Sequence, residues 1–143
     1  MPVFADADAF YTVMQKMVDK LALDQAAVDS FKQAKMTVRF TCTDPQVIMI
    51  LDGRHNPVRA LFGPQSVRTD LDLNLTTDLL HDLLLGKKRI RDSFMAGQIK
   101  VSGNVFRAMQ LAEPLRHVEA IYPQVLQELG QARATPLQFQ LQQ

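Results

Sequence analysis

The sequence predicts an α+β domain built on a five-stranded, mostly antiparallel sheet. Three observations carry that expectation. Five short segments, near 36–42, 47–51, 58–62, 68–75 and 98–102, alternate apolar with polar residues or run apolar for the length of a strand. Helical periodicity fills the chain before them, between the fourth and fifth, and after the fifth. The first four segments are joined by short connections, whereas a parallel return needs a crossover of about a dozen residues or more, so an antiparallel meander is expected there. At 143 residues the chain makes one domain, 1–143, long enough to bury a sizeable core.

Two helices, over 6–35, open the chain. Asp6 or Asp8 caps the first, which runs to about Lys20 and sets Phe10, Met14, Met17 and Leu21 on one side. Asp24 caps the second, with Ala27, Val28, Phe31 and Ala34 apolar. Neither carries a chemical motif, and both read as cover for the sheet rather than as a surface for a partner. Met36, Val38, Phe40 and Cys42 then alternate with Thr37, Arg39 and Thr41, and Asp44-Pro45 turns the chain. Val47 to Leu51 is continuously apolar, as in a strand covered on both faces or near the middle of the sheet. After a loop over 52–57, Val58, Ala60 and Phe62 alternate with Arg59 and Leu61.

Thr69, Leu71, Leu73 and Leu75 alternate with Asp70, Asp72 and Asn74 to make the fourth strand. Thr76 caps a helix whose apolar face is Leu79, Leu80, Leu83 and Leu84; Leu75 and Leu80 staple its start and Gly86 stops it. A shorter helix carries Ile90, Phe94 and Met95 and ends at Gly97. This insert, 76–96, is long enough to carry the fifth strand elsewhere in the sheet. Ile99 and Val101 face one side of that strand, and Asn104 caps the helix that follows. Pro114 either ends or kinks this helix or sits in the first turn of the next. The last helix, about Leu115 to Leu129, contains Pro123 and stops at Gly130. Leu137, Phe139 and Leu141 alternate with glutamines in the tail 136–143, which is either disordered or paired with a sheet edge, its own or a neighbour's.

Sixteen basic and fifteen acidic side chains nearly cancel, which argues against a nucleic-acid surface. A single cysteine, Cys42, makes no internal disulfide and points to a reducing compartment. The N-terminus lacks the features of a secretory signal, no apolar run reaches the length of a membrane span, and the C-terminal Leu-Gln-Gln is not a peroxisomal address. A cytoplasmic location is expected.

No motif for catalysis, a metal or a cofactor stands in the chain: no phosphate-binding glycine loop, no dinucleotide fingerprint, no His-Glu-x-x-His, no paired cysteines. The chain is therefore not expected to be an enzyme. His55, His81 and His117 lie far apart, and His81 reads as a solvated residue on the polar side of the leucine helix rather than a general base. Cys42 reads as a small buried hydrophobe, and Asp70 and Asp72 as the wet face of the sheet. Two features rise above this background. The basic run Lys87, Lys88, Arg89 and Arg91 suits the C-terminal end of the leucine helix. It also suits transient contact with an anionic membrane, where each basic residue adds about 1 kcal/mol. The second feature is a set of bulky and flexible apolar side chains, Phe94, Met95, Phe106 and Met109, in the segments after the leucine helix. From periodicity alone they fill a dry core.

Thr69-Asp70, Asp78-Leu79-Leu80, Leu85-Gly86-Lys87 and the run Phe94-Met95-Ala96-Gly97-Gln98-Ile99-Lys100-Val101-Ser102-Gly103-Asn104 follow in an order that resembles the sterol carrier protein 2 domain, SCP-2. The resemblance covers about 36–118, between the N-terminal helices 6–35 and the C-terminal helix and tail 115–143. It implies helices over one face of the sheet and an apolar tunnel between them. Leu79, Leu80, Leu83, Leu84, Phe94, Met95, Phe106 and Met109 are the expected lining. It also implies lipid binding and intermembrane transfer without catalysis, the ligand being sterol-like, fatty acyl or isoprenoid. The alternatives are an accessory factor holding the lipid tail of an intermediate in ubiquinone or other lipid biosynthesis, and a structural or dimerisation module. In either, the tail 136–143 is the candidate contact for a second copy or a partner enzyme.

Overall fold

A computed structural model describes the backbone of residues 3–142 and the side chains of residues 3–130. Helices α1 (Ala7–Leu23) and α2 (Gln25–Ala34) lead into strands β1 (Thr37–Thr43), β2 (Val47–Asp52), β3 (Arg59–Phe62) and β4 (Leu71–Thr76). Helices α3 (Thr77–Leu84) and α4 (Ile90–Met95), strand β5 (Lys100–Gly103), and helices α5 (Val105–Met109) and α6 (Ala112–Gln142) complete the chain. Helices α1, α2, α3 and α5 start where short polar side chains can satisfy free amides. Asp6 accepts from the Ala9 N–H, Asp24 from Ala26 and Ala27, Thr76 from Leu79, and Asn104 from Phe106. Helix α3 ends in a Schellman turn: the Gly86 N–H reaches the Leu83 carbonyl at 3.1 Å and the Lys87 N–H reaches the Asp82 carbonyl at 2.9 Å.

The sheet order is β3-β2-β1-β4-β5. Three pairings are antiparallel, but β1 and β4 run parallel in the centre, with Val38, Phe40 and Cys42 opposite Leu71, Leu73 and Leu75. The four-strand meander expected from the short connections is therefore corrected. The β3–β4 link does not join neighbours. It traverses β2 and β1 to set β4 on the far side, so the crossover rule applied to the wrong pair of strands. Between β1 and β4 in sequence lie two whole strands. Nor does the α3–α4 insert carry β5 away, since β5 pairs with β4 as the outer strand. The link runs over the face away from the helices, where Arg39 Nη2 donates to the carbonyls of Gln65 at 3.1 Å and Val67 at 2.8 Å. On that face Ile50, in register with Arg39, is fully buried although it stands apart from the main core.

Helices α1, α2, α3 and α6 cover the other face, and the core lies between them and the sheet. Phe10, Met14, Met17 and Leu21 of α1 meet Val38, Phe40 and Cys42 of β1, Met49 of β2, and Tyr122 and Val125 of α6 in one cluster. Pro114 takes the first turn of α6, where its missing N–H needs no partner. Gly130 does not stop α6, which is assigned as helix through Gln142. The strand-like or disordered tail expected at 136–143 falls on residues whose side chains lie outside those described.

Candidate functional site

Between sheet and helices lies a narrow, partly open space with no polar wall. Its floor is Phe40 of β1, Met49 and Leu51 of β2, and Leu73 of β4. Leu80, Leu83 and Leu84 of α3 line one side, Met17 and Phe31 of α1 and α2 another, and Leu111, just before α6, with Leu115 and Val118 of its first turns a third. The cavity holds about 40 Å³. Ligand pockets for drug-sized molecules begin at about 300 Å³, so this space is the narrow seed of a site rather than a formed tunnel. Its apolar lining keeps it dry, because a water needs two or more polar partners.

Beside it, across Ile90 and Leu115, is an open cleft of about 600 Å³ lined by Arg89 and Arg91, Ala108 and Met109, Ala112, Arg116 and Glu119. A roomier hollow of about 830 Å³ lies between α1, β3 and α6, but it is a surface groove with mixed walls. Lys16 and Lys20 pair with Glu128 within it, and it opens to solvent rather than to the core.

The structure distributes the expected lining unevenly. Leu79, Leu80, Leu83 and Leu84 are all buried, and the last three face the cavity. Phe94 and Met109 are half-buried, and Met109 lies on the cleft. Met95 and Phe106 are 73% and 83% exposed. Helices of six and five residues have about one buried position each, and Ser93 and Ala108 take it. Met17, Phe31, Phe40, Met49, Leu51, Leu73, Leu111, Leu115 and Val118 were missed as lining. Alternation put the strand residues on the inner face, but the helix that covers each of them depends on a strand order that is not local. Lys87, Lys88, Arg89 and Arg91 are exposed, and only the two arginines line the cleft.

His81 is not the solvated residue that helix periodicity suggests. Its ring packs edge-on against Phe4 and Tyr122, and Nδ1 is 2.7 Å from the Tyr122 hydroxyl. Both neighbours come from remote parts of the chain. Burial lowers its pKa, with Lys87 assisting and Asp82 and Asp78 opposing. Cys42 is fully buried and its thiol is pushed up to about 12 by burial. Asp52 titrates below the usual carboxylate range: burial raises it, but hydrogen bonds from Thr37, Arg59 and the backbone of His55 and Arg54 outweigh that. Asp52, Asp70 and Asp72 are all held by neighbouring arginines, which leaves them structural rather than reactive. Among the described residues no three His, Cys, Asp or Glu side chains stand close enough to hold a metal, and no helix is long and apolar enough to cross a membrane.

The SCP-2 sterol transfer family matches residues 16–116, which include the sheet, α2 to α5, and all of the cavity wall but Val118. The chain belongs to that family. The fold of this SCP-2 member is similar to sterol carrier protein 2 from Yarrowia lipolytica, in its apo form, at 22% identity and a TM-score of 0.62 over 79% of this chain and 91% of that one. It is also similar to a conserved hypothetical protein from Thermus thermophilus, described as possibly a sterol carrier protein (16% identity, TM-score 0.63, 80% and 86% of the two chains). The ubiquinone synthesis protein UbiJ-SCP2 shares the fold at 12% identity and a TM-score of 0.59, over 85% of this chain and 95% of that one. No curated protein matches the SCP-2 chain by sequence.

Proposed function

We propose that this protein binds one lipid-like molecule in the cavity between the sheet and the helices, and exchanges it at membranes without catalysis. The observation that carries this is the wholly apolar cavity at the centre of an SCP-2 fold. Burying about 400 Å² of apolar ligand surface gains on the order of 10 kcal/mol before ordering costs, so no reactive group is needed. Loading requires the cavity to widen severalfold. Met17 and Met49 both line it, and unbranched methionines repack around ligands of different shape. Lys87, Lys88, Arg89 and Arg91 lie exposed after α3, and Met95 and Phe106 are exposed on α4 and α5. Exposed basic side chains, and exposed apolar ones on the two helices that follow, support transient contact with an anionic bilayer. Reduced Cys42 fits a cytoplasmic protein.

A second reading is an accessory factor that presents the lipid tail of a biosynthetic intermediate to partner enzymes, and the likeness to UbiJ-SCP2 favours it. Native mass spectrometry of protein purified without detergent, followed by organic extraction, tests both. A reproducible lipid near one per chain is the expected result. A quinone precursor identifies the accessory role, and mixed acyl lipids the carrier. Empty protein that also takes up no fluorescent lipid would overturn both.

A further inference from the structure

His81 joins three separate parts of the chain on one flank of α3. Its ring packs edge-on against Phe4, with centroids 5.8 Å apart, and against Tyr122 of α6, at 5.4 Å. Phe4 belongs to a short strap, residues 3–6, that precedes α1. The strap is tied to α3 twice. The Phe4 ring is buried against His81 and against Phe10 of α1, and the Val3 N–H donates to Asp78 Oδ1 at 3.0 Å. Asp78 and His81 stand three residues apart, which makes them neighbours on the surface of the helix. On the adjoining flank of the same helix Leu80, Leu83 and Leu84 line the cavity. What fastens the strap therefore also fastens one wall of the cavity.

The roles in the 2.7 Å contact between His81 Nδ1 and the Tyr122 hydroxyl follow from burial. Tyr122 is fully buried, burial pushes its pKa up, and its hydroxyl makes no other hydrogen bond among the described residues. It keeps its proton and donates it to Nδ1, which requires a neutral imidazole. A proton on Nδ1 makes both ring nitrogens donors and leaves the buried Tyr122 O–H without an acceptor. The new charge also draws Asp78 away from the Val3 N–H. Asp82 and Asp78, on the same helix, favour that charge, and Lys87 just beyond it opposes. The strap and α6 face the ring with Phe4 and Tyr122, which take from it part of the water that a charge needs. We propose that Phe4, His81 and Tyr122 form a proton-operated latch on the lipid cavity: neutral His81 clasps α3 to the strap and to α6, and its protonation frees α3 and releases the ligand. This rests on the lipid-binding function proposed above. An anionic bilayer concentrates protons at its surface, so the latch opens where the ligand is delivered and stays fastened in neutral solution.

The test is the rate at which bound Nile red, a neutral dye, leaves the protein for phosphatidylcholine vesicles at pH 7.5 and at about pH 5, either side of an ordinary histidine. Neither dye nor vesicle changes charge over that range. The rate is expected to rise about fivefold or more on acidification, the size of a typical coupling between two sites. His81→Gln keeps an oxygen that accepts from Tyr122 and takes up no proton, so it releases slowly at both pH values. Phe4→Ala and Tyr122→Phe each release fast already at pH 7.5. Replacing the other two histidines together, His55→Gln and His117→Gln, leaves the pH dependence in place. Equal rates at the two pH values in the parent overturn the proposal, as does a pH dependence that survives His81→Gln or is lost with His55 and His117. A second readout needs no lipid. Amide hydrogen exchange, scaled to the intrinsic rate at each pH, speeds up several-fold on acidification in the strap and α3 while β1 is unchanged. Protection of α3 that stays the same overturns the latch whatever the protein binds. If α3 loosens but the protein takes up no dye at either pH, it is lipid binding that fails and not the latch.

Discussion

Asp70 accepts three hydrogen bonds. Its Oδ2 takes the Thr37 N–H at 2.9 Å and Arg54 Nε at 3.0 Å, and its Oδ1 takes Arg54 Nη2 at 2.8 Å. The Arg54 bonds come first among the causes that hold its pKa at about 2. Because the folded pKa lies below the unfolded one, this stabilisation is full above about pH 4 and is lost as pH falls toward 2. Arg54 is half exposed, so Asp70→Asn is expected to cost only about 1 kcal/mol at pH 7. Urea midpoints of the variant and parent should converge near pH 2. His81 acts in the same direction at higher pH. Its pKa is depressed by burial, so the unfolded chain takes up a proton first as pH falls below ~6.5, and the fold loses stability there. The urea midpoint should drop between pH 7.5 and 5.5, and His81→Gln should flatten that drop. Asp70 was legible as a polar-face residue and His81 as a helix residue. Their partners were not, because Arg54, Thr37, Phe4 and Tyr122 are joined to them only by the fold.

Helix α3 shows what local sequence can and cannot specify. Its first turn is fixed by the Thr76 hydroxyl and its last by Gly86 at φ +77, and both signals stand in the sequence beside the helix they bound. Thr76→Ala should cost about 1 kcal/mol. Gly86→Ala should cost more, about 1–2 kcal/mol for the left-handed backbone, and its methyl also crowds Glu119. Chemical denaturation of both variants checks the order, and a Gly86→Ala variant as stable as the parent would refute the close approach of α6. The strands behaved differently. Alternation located four of them and their inner faces, and a continuous apolar run located β2, yet the central parallel pairing of β1 with β4 escaped both. A strand's neighbours depend on where the β3–β4 link travels, and that path is held by Arg39, a residue of β1. The short helices α4 and α5 differ for a related reason. Periodicity and the family resemblance put Phe94, Met95, Phe106 and Met109 inward, but one turn of helix has only one inward position, and Met95 and Phe106 stand exposed.

At the scale of the molecule, the cavity sets stability against function. A void among Leu73, Leu80, Leu83 and Met49 forfeits dispersion contacts that a filled core would keep, so a protein selected for stability alone has reason to close it. Leu83→Phe places extra carbons into that space from α3. The void of about 40 Å³ accommodates much of the added ring, so stability should hold or rise by up to about 1 kcal/mol. Lipid uptake should fall at least tenfold, because the ring stands where a ligand tail must pass. Leu80→Ala acts in the other direction: it should cost about 3 kcal/mol and leave uptake intact or improved, since it enlarges the space. Urea denaturation and uptake of a fluorescent fatty acid, measured on both variants, give the two quantities independently. Opposite movement of stability and uptake in the pair assigns the ligand to this cavity. If Leu83→Phe stabilises the fold while uptake is unchanged, the ligand is held outside the core, and the surface of α4 and α5, where Met95 and Phe106 are exposed, becomes the place to look.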